Sequence, residues 1–394
     1  MIRSIRSSFV TLLLSCAVVP ACSLATADEP SVEVSKVEVT VHTVAKKPEA
    51  APLVQIALLL DTSNSMDGLI RQAQDQLWAI VNELAEKKRH GQRPRLEVAL
   101  FEYGNNSLPA TENYIRQIVP LTGDLDAISE ALFELKTNGG SEYCGAVVSE
   151  ATSVLDWKPG DDHYKAIFIA GNEAFTQGGV EYRSACSRAK GEGVVVNTIH
   201  CGNEREGIQG KWRDAARLGG GDFLTINQDH AVRHLECPQD AEILRLNIEL
   251  NSTYLPFGEQ GEQGARRQTG QDESAAGIAA DTLARRAVSK AQSNAYRNES
   301  WDLIDAVESD EELLSKLDDD ALPDHLKGKT VEEQKAMIAA SAESRKQIQA
   351  KIAKLGKERS EYVKQERAKA GQDHSLGTAV QELIRKQAAD KGFE

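Results

Sequence analysis

Residues 53–60, Leu-Val-Gln-Ile-Ala-Leu-Leu-Leu, form an apolar run broken only by Gln55. A strand of that character has no polar face to turn to water, so it must be covered on both sides, as a central strand of a parallel sheet is. Parallel neighbours need crossover connections, and the following residues supply them. Residues 69–84 place Ile70, Ala73, Leu77, Ile80, Val81 and Leu84 on one helical stripe. Strand-like runs at 96–101, 114–119, 166–170, 194–199 and 223–226 are interleaved with helical periods at 125–135, 145–155, 180–190, 211–218 and 241–250. The pattern predicts an α/β domain over 51–250, doubly wound, with a mostly parallel sheet flanked by helices.

The character changes after Asn251. Residues 256–275 are rich in Gly, Gln and charge, and 251–277 read as a linker or irregular loop. From 278 to 394 Ala, Lys, Glu, Gln and Arg dominate with helical period, so an α-helical C-terminal region is expected. Thr330-Val331-Glu332-Glu333 is a capping box opening a long helix. Along it Ile348, Leu355 and Tyr362 recur every seven residues, with Ile338 and Ile352 on the adjoining seam and Arg345 and Arg359 at its alternate places. That is a short, flawed coiled-coil pattern, better suited to a helical hairpin packed on itself than to a two-chain zipper.

The N-terminal segment reads as an export signal over 1–27. Arg3 and Arg6 precede an apolar stretch, and Ala25-Thr26-Ala27 forms a cleavage site before Asp28. Export places the protein in a periplasmic or extracellular compartment. Leu13-Leu14-Ser15-Cys16 also resembles a bacterial lipobox, better than the run ending at Cys22, so a lipoprotein and a soluble product both stay open. A membrane enters only through such an anchor, since no other apolar stretch reaches spanning length. Residues 28–50 alternate Val32, Val34, Val37, Val39 and Val41 with polar positions, the pattern of a β arm. Four cysteines lie beyond the signal (Cys144, Cys186, Cys201 and Cys237), and an even count in an exported chain predicts one or two disulfides. The formal charge of −14 repels phosphate backbones and argues against nucleic-acid partners.

Chemistry in an open α/β sheet gathers at the carboxyl ends of the strands. The first core strand ends in Asp61-Thr62-Ser63-Asn64-Ser65, with oxygen side chains at alternate positions. Such hard donors suit Mg²⁺, Mn²⁺ or Ca²⁺ rather than zinc. Taken alone, Ser63, Asn64 and Ser65 would equally serve to cap the next helix. The loop 136–140 adds Thr137 before a glycine pair, and Gly171-Asn172-Glu173 closes the next buried strand.

Asp61-x-Ser63-x-Ser65 after a buried strand resembles the metal-ion-dependent adhesion site of von Willebrand factor A (VWA) domains, across roughly residues 51–250. The resemblance implies a divalent cation, Mg²⁺ first with Mn²⁺ or Ca²⁺ as alternatives, held by Asp61, Ser63, Ser65, Thr137 and Asn172. It implies a non-enzymatic adhesion or scaffolding module that grips a protein partner through an acidic side chain. The third loop departs from the family, having Asn172 (or Glu173, one residue on) where an aspartate is usual. With Asn172 the site holds a single carboxylate, which weakens metal affinity and sharpens the ion's appetite for a partner's acid. Two other classes stay open. In one, a scaffold binds through its helical region and the metal site is vestigial. The other is a metal-dependent hydrolase, which lacks the second acid that phosphatases of this outline carry where Ser63 stands.

Overall fold

A computed structural model of the chain describes residues 51–160, 162–230, 232–370 and 375–394. The expected signal at 1–27, with Cys16 and Cys22, and the β arm at 28–50 lie outside the described residues.

Six strands form one sheet: β1 Leu53–Asp61, β2 Arg95–Tyr103, β3 Ile115–Thr122, β4 Tyr164–Gly171, β5 Val195–Cys201 and β6 Gly220–Ile226. Their order is β3-β2-β1-β4-β5-β6, parallel throughout except for β3, which runs antiparallel to β2. A short connection suffices for that edge because antiparallel neighbours need no crossover. Every residue of β1 and β4 is buried, as the unbroken apolar runs require. The order in which strands are added reverses between the parallel neighbours β1 and β4, so the crevice at their carboxyl ends is the sheet's switch point.

Helices α1 Asp67–Ala85, α2 Leu125–Glu134, α3 Cys144–Val154, α4 Tyr182–Gly191, α5 Glu204–Gln209, α6 Trp212–Leu218 and α7 Asp240–Asn251 complete the α/β pattern. The core on one sheet face draws on α3, α4 and α6. The other face is covered by α1, α2 and α7, and also by helices from the far end of the chain.

Those later helices are α8 Gly261–Ile278, α9 Ala280–Lys290, α10 Leu303–Ser309, α11 Leu313–Lys316, α12 Val331–Ala370 and α13 Leu376–Asp390. The helical C-terminal region is therefore present, but the stretch 251–277 is not an irregular linker. It carries α8, whose Gln268, Gln271 and Asp272 are buried. Composition misled because the buried groups are polar and matched. Ser129 Oγ donates to Gln271 Oε1 at 2.7 Å, and Asn247 and Asn251 both donate to Asp272 Oδ2 at 2.8 Å.

Helix α12 opens with the expected capping box: Thr330 N donates to Glu333 Oε2 at 2.9 Å, and Glu333 N returns to Thr330 Oγ1 at 3.3 Å. Its seam faces α7 and α9 of the same chain, which is where Ile348 and Ile352 are buried. The arginines that spoil the heptad are buried in ion pairs. Arg345 Nη1 meets Asp302 Oδ2 at 2.6 Å, and Arg359 Nε meets Asp240 Oδ1 at 2.7 Å while its Nη2 reaches Asp281.

Helix α13 lies against α1 and the β5–β6 side of the sheet. Gly377 permits the approach, since a Cβ there would stand 2.3 Å from Gln76 Oε1. Gln387 accepts from Tyr164 Oη and donates to Asn197 Oδ1, sewing the helix to β4 and β5. Phe393 is buried, and Glu394 exchanges backbone hydrogen bonds with Lys88. No described helix is long and apolar enough to cross a membrane.

The expected disulfides are corrected by the structure: Cys144, Cys186, Cys201 and Cys237 are all buried free thiols. Cys144 and Cys186 pack in the core on one face of the sheet and Cys201 in the core on the other. Burial holds their thiols protonated, pushing Cys186 up to about 12, so they serve as small apolar groups.

A chain ending at residue 370 is expected to lose cooperative folding, because Leu376, Val380, Leu383 and Ile384 leave an apolar sheet face bare. Dye binding to exposed apolar surface and a lost thermal transition would show it; an unchanged melt would contradict it. Acid should act through Asp272 and Asp281. Burial alone would raise both, but Lys290 and Arg286 beside the first, and Arg285 and Arg359 beside the second, hold them below the usual carboxylate range. Their stabilisation is complete above the unfolded value of about pH 4 and is lost as pH falls through the depressed folded values. Melting temperature against pH should accordingly fall more gently below about pH 4 in Asp272→Asn than in the unaltered chain.

Candidate metal centre

β1 delivers its last residue, Asp61, into the switch-point crevice with no exposed surface. Glycines on two neighbouring segments make room for it. A Cβ at Gly104 would stand 2.9 Å from Asp61 Oδ1, and one at Gly171 would stand 2.9 Å from Oδ2 and 2.3 Å from Tyr103 Oη. Ser63 N donates to Asp61 Oδ1 at 2.8 Å, whereas the buried Oδ2 has no hydrogen-bond partner. Burial pushes the Asp61 carboxyl up to about 7; the Ser63 N–H works against that shift and the charge of Glu142 adds to it.

Ser63 Oγ and Ser65 Oγ lie 3.3 Å apart, and Asn172 Nδ2 donates to Ser65 Oγ at 3.1 Å. Asn172 Oδ1 is left buried and unpartnered. Four of the five expected residues are thus joined: Asp61, Ser63, Ser65 and Asn172. The capping role that Ser63 would have in isolation is not taken up, for its side chain makes no cap hydrogen bond to the turn at 64–66. Asn203 of the second Gly-Asn-Glu does cap, accepting from Glu206 N at 2.9 Å.

Thr137 is the exception. Its loop is stitched to the first one by Asn64 N to Gly139 O and Asn138 N to Thr62 O, each 2.9 Å. Its hydroxyl, however, donates to Asp67 Oδ1 on α1. In the same loop Ser141, half-buried between Gly140 and Glu142, has a hydroxyl with no partner among the described residues.

Glu142 is the residue that motif reading missed. It is 5% exposed, and a Cβ at Gly140 would stand 2.7 Å from its Oε1. Burial raises its carboxyl and the charge of Glu173 adds to that, while hydrogen bonds with Ser63 and Gln177 act the other way. Its signal in the sequence is a lone acid after Gly139-Gly140-Ser141 at a buried helix start, where an acid also reads as an ordinary helix-entry residue.

Among the described residues no three of His, Cys, Asp and Glu form a metal cage. The donors gathered here are instead hydroxyl, amide and carboxylate oxygens, a hard set that fits Mg²⁺, Mn²⁺ or Ca²⁺. The two buried oxygens without donors, Asp61 Oδ2 and Asn172 Oδ1, are what such an ion would satisfy.

Fold and site define a doubly wound α/β protein with an oxygen-rich loop cluster at its switch point. No family model and no curated protein matches the chain. Solved structures similar to it include the protein BatB of Bacteroides thetaiotaomicron, 18% identical over 44% of this chain and 90% of that one, TM-score 0.33. A von Willebrand factor type A structure from Catenulispora acidiphila is 18% identical over 45% and 39%, TM-score 0.34. Proximal thread matrix protein 1 of the mussel byssus, with a zinc-occupied metal-ion-dependent adhesion site, is 16% identical over 44% and 41%, TM-score 0.34. By its own strand order and its Asp61-x-Ser63-x-Ser65 turn, the α/β part has the VWA type of fold.

In chelator, Asp61→Asn is expected to stabilise the protein near pH 8 by about 1–3 kcal/mol, because it removes an unpaired buried charge. Denaturant midpoints of the two proteins measure this. A less stable Asp61→Asn would mean that the carboxylate serves the fold itself.

Proposed function

We propose that the chain is an exported, non-enzymatic module that binds a protein partner through a divalent cation at the carboxyl ends of β1 and β4. The observation that carries this reading is the fully buried Asp61, whose Oδ2 has no donor and whose neighbours are hydroxyls and an amide. A carboxylate in that position is costly unless a positive charge joins it. Asp61, Ser63, Ser65 and Asn172 would hold the ion, with Mg²⁺ first and Mn²⁺ or Ca²⁺ as alternatives. Thr137 would enter the shell by leaving Asp67; Ser141 offers an unengaged hydroxyl from the same loop.

When bound, the ion supplies a Lewis-acid point for a partner's carboxylate. The surface beside the site suits such a visitor. An open cleft of about 310 Å³ is lined by Asp67, Ile70, Gln74 and Thr137 and by Arg71 and Lys136, two cations with no ion pair among the described residues. Attraction of an acidic segment toward this rim would favour encounter in an otherwise acidic protein.

Calorimetric titration of the chain with Mg²⁺ and Mn²⁺ tests the reading. One ion per chain is expected, with binding abolished in Asp61→Ala and weakened at least about tenfold in Ser63→Ala/Ser65→Ala. Absence of binding for Mg²⁺, Mn²⁺ and Ca²⁺ alike would overturn it.

A further inference from the structure

We propose that Glu142 supplies the second anionic ligand of this cation site, so that the carboxylate missing from the third loop is provided by the second. The inference rests on the cation site proposed above and names a ligand that the motif does not contain. Asn172 brings a neutral amide to the end of β4, which leaves Asp61 as the motif's only acid. Glu142 restores a second one from a different direction. A Cβ built at Gly104 would stand 2.9 Å from Asp61 Oδ1 and 2.9 Å from Glu142 Cγ, so the two acids face one another across a bare glycine. Gly104 has φ of +80°, a backbone conformation that itself favours glycine, and Gly140 gives Glu142 Oε1 the same freedom on the other side.

Ser63 joins the two acids. Its backbone N–H donates to Asp61 Oδ1 at 2.8 Å, and its hydroxyl, 3.3 Å from Ser65 Oγ, works against the upward shift of the Glu142 carboxyl. Neither carboxylate is in an ion pair among the described residues. Two buried acids held together without a cation repel each other and lose hydration, an arrangement that does nothing for the fold alone. Asp61 Oδ2 and Asn172 Oδ1 are buried without hydrogen-bond partners. A dication between Asp61 and Glu142 turns that repulsion into attraction, and two charges from the chain neutralise it before any partner arrives.

Mn²⁺ titration of the full chain, by calorimetry and by the electron paramagnetic resonance signal of the free ion, tests the assignment. Glu142→Gln is expected to weaken Mn²⁺ binding at least about tenfold, whereas Glu262→Gln, an exposed acid on α8, shifts it less than about twofold. In chelator Glu142→Gln should melt no lower than the unaltered chain, yet lose most of the upward shift that Mn²⁺ confers. Glu142→Asp keeps the charge but retracts it, and is expected to fold and to bind with intermediate affinity. Unchanged Mn²⁺ affinity in both Glu142 variants, alongside loss of binding in Asp61→Ala, would overturn this assignment and leave the cation site standing. An unaltered chain that takes up no Mn²⁺ would overturn both.

Discussion

One fully buried guanidinium, that of Arg286 on α9, holds the cover of the sheet together. Its Nη1 meets Asp126 Oδ1 of α2 at 2.5 Å, its Nε meets Asp272 Oδ1 of α8 at 2.6 Å, and its face lies 4.6 Å from the Trp78 ring of α1. Four helices from both halves of the chain therefore converge on one charge. Such a group is tolerable only while every partner is in place, since a buried ion that loses its counter-ion costs several kcal/mol. Lys290, Arg285 and Arg359 repeat the device nearby, each against an aspartate from another helix or another turn. The ion pairs specify which helix lies where, and the apolar contacts then supply most of the burial.

That arrangement explains which parts of the fold were legible in the sequence. The strands β1 and β4 announced themselves because both faces are buried and their middle residues are almost all apolar, with Gln55 and Lys165 polar near the starts and Asp61 at the end of β1. Helix α1 showed its stripe because the side that meets the sheet is apolar, while the sides covered by α9 and α13 bury Gln72, Asp75 and Gln76. Helix α8 stayed hidden because its inward residues, Gln268, Gln271 and Asp272, are polar, and burial of polar groups has no periodic apolar signature. Arg345 and Arg359 break the heptad pattern because their places in it are filled by buried ion pairs to Asp302 and Asp240. No local pattern could reveal α13 as part of the α/β core, because its partners stand some 300 positions away, as Leu376 N does from Gln72 Oε1. The expectation of disulfides followed from inferred export and an even cysteine count, and it failed because neither argument carries spatial information.

The site divides in the same way. Asp61, Ser63 and Ser65 are local, fixed by one strand-to-helix turn, and their cluster was readable from five consecutive residues. Asn172 was reachable because β4 neighbours β1 in any sheet of this outline. The second loop was harder, because it contributes through tertiary packing alone. Thr137 has the expected residue type, yet Asp67 stands closer to hand and takes its hydroxyl. Glu142 has no motif to mark it and becomes visible only when Gly104 and Gly140 are seen to leave space around its side chain.

The loops of the site are braced from below, which bears on how a partner could be captured. The third loop is held by α6, whose Trp212 Nε1 donates to Glu173 O at 2.8 Å and whose ring meets Phe175 edge-on at 5.0 Å. Phe175 N in turn donates to Gly210 O at 2.8 Å, and Trp212 packs against His200 at the end of β5. Both His200 ring nitrogens are buried without partners, and burial lowers its pKa, so the imidazole is a neutral packing group there. The first and second loops are tied by paired backbone hydrogen bonds. Oxygen donors mounted on three mutually braced segments need little reorganisation to meet an ion, so most of the ordering cost is met when the chain folds. Affinity for a partner then depends on the charge that the cluster presents, which Asp61 and its neighbours set, more than on any rearrangement of the loops that carry them.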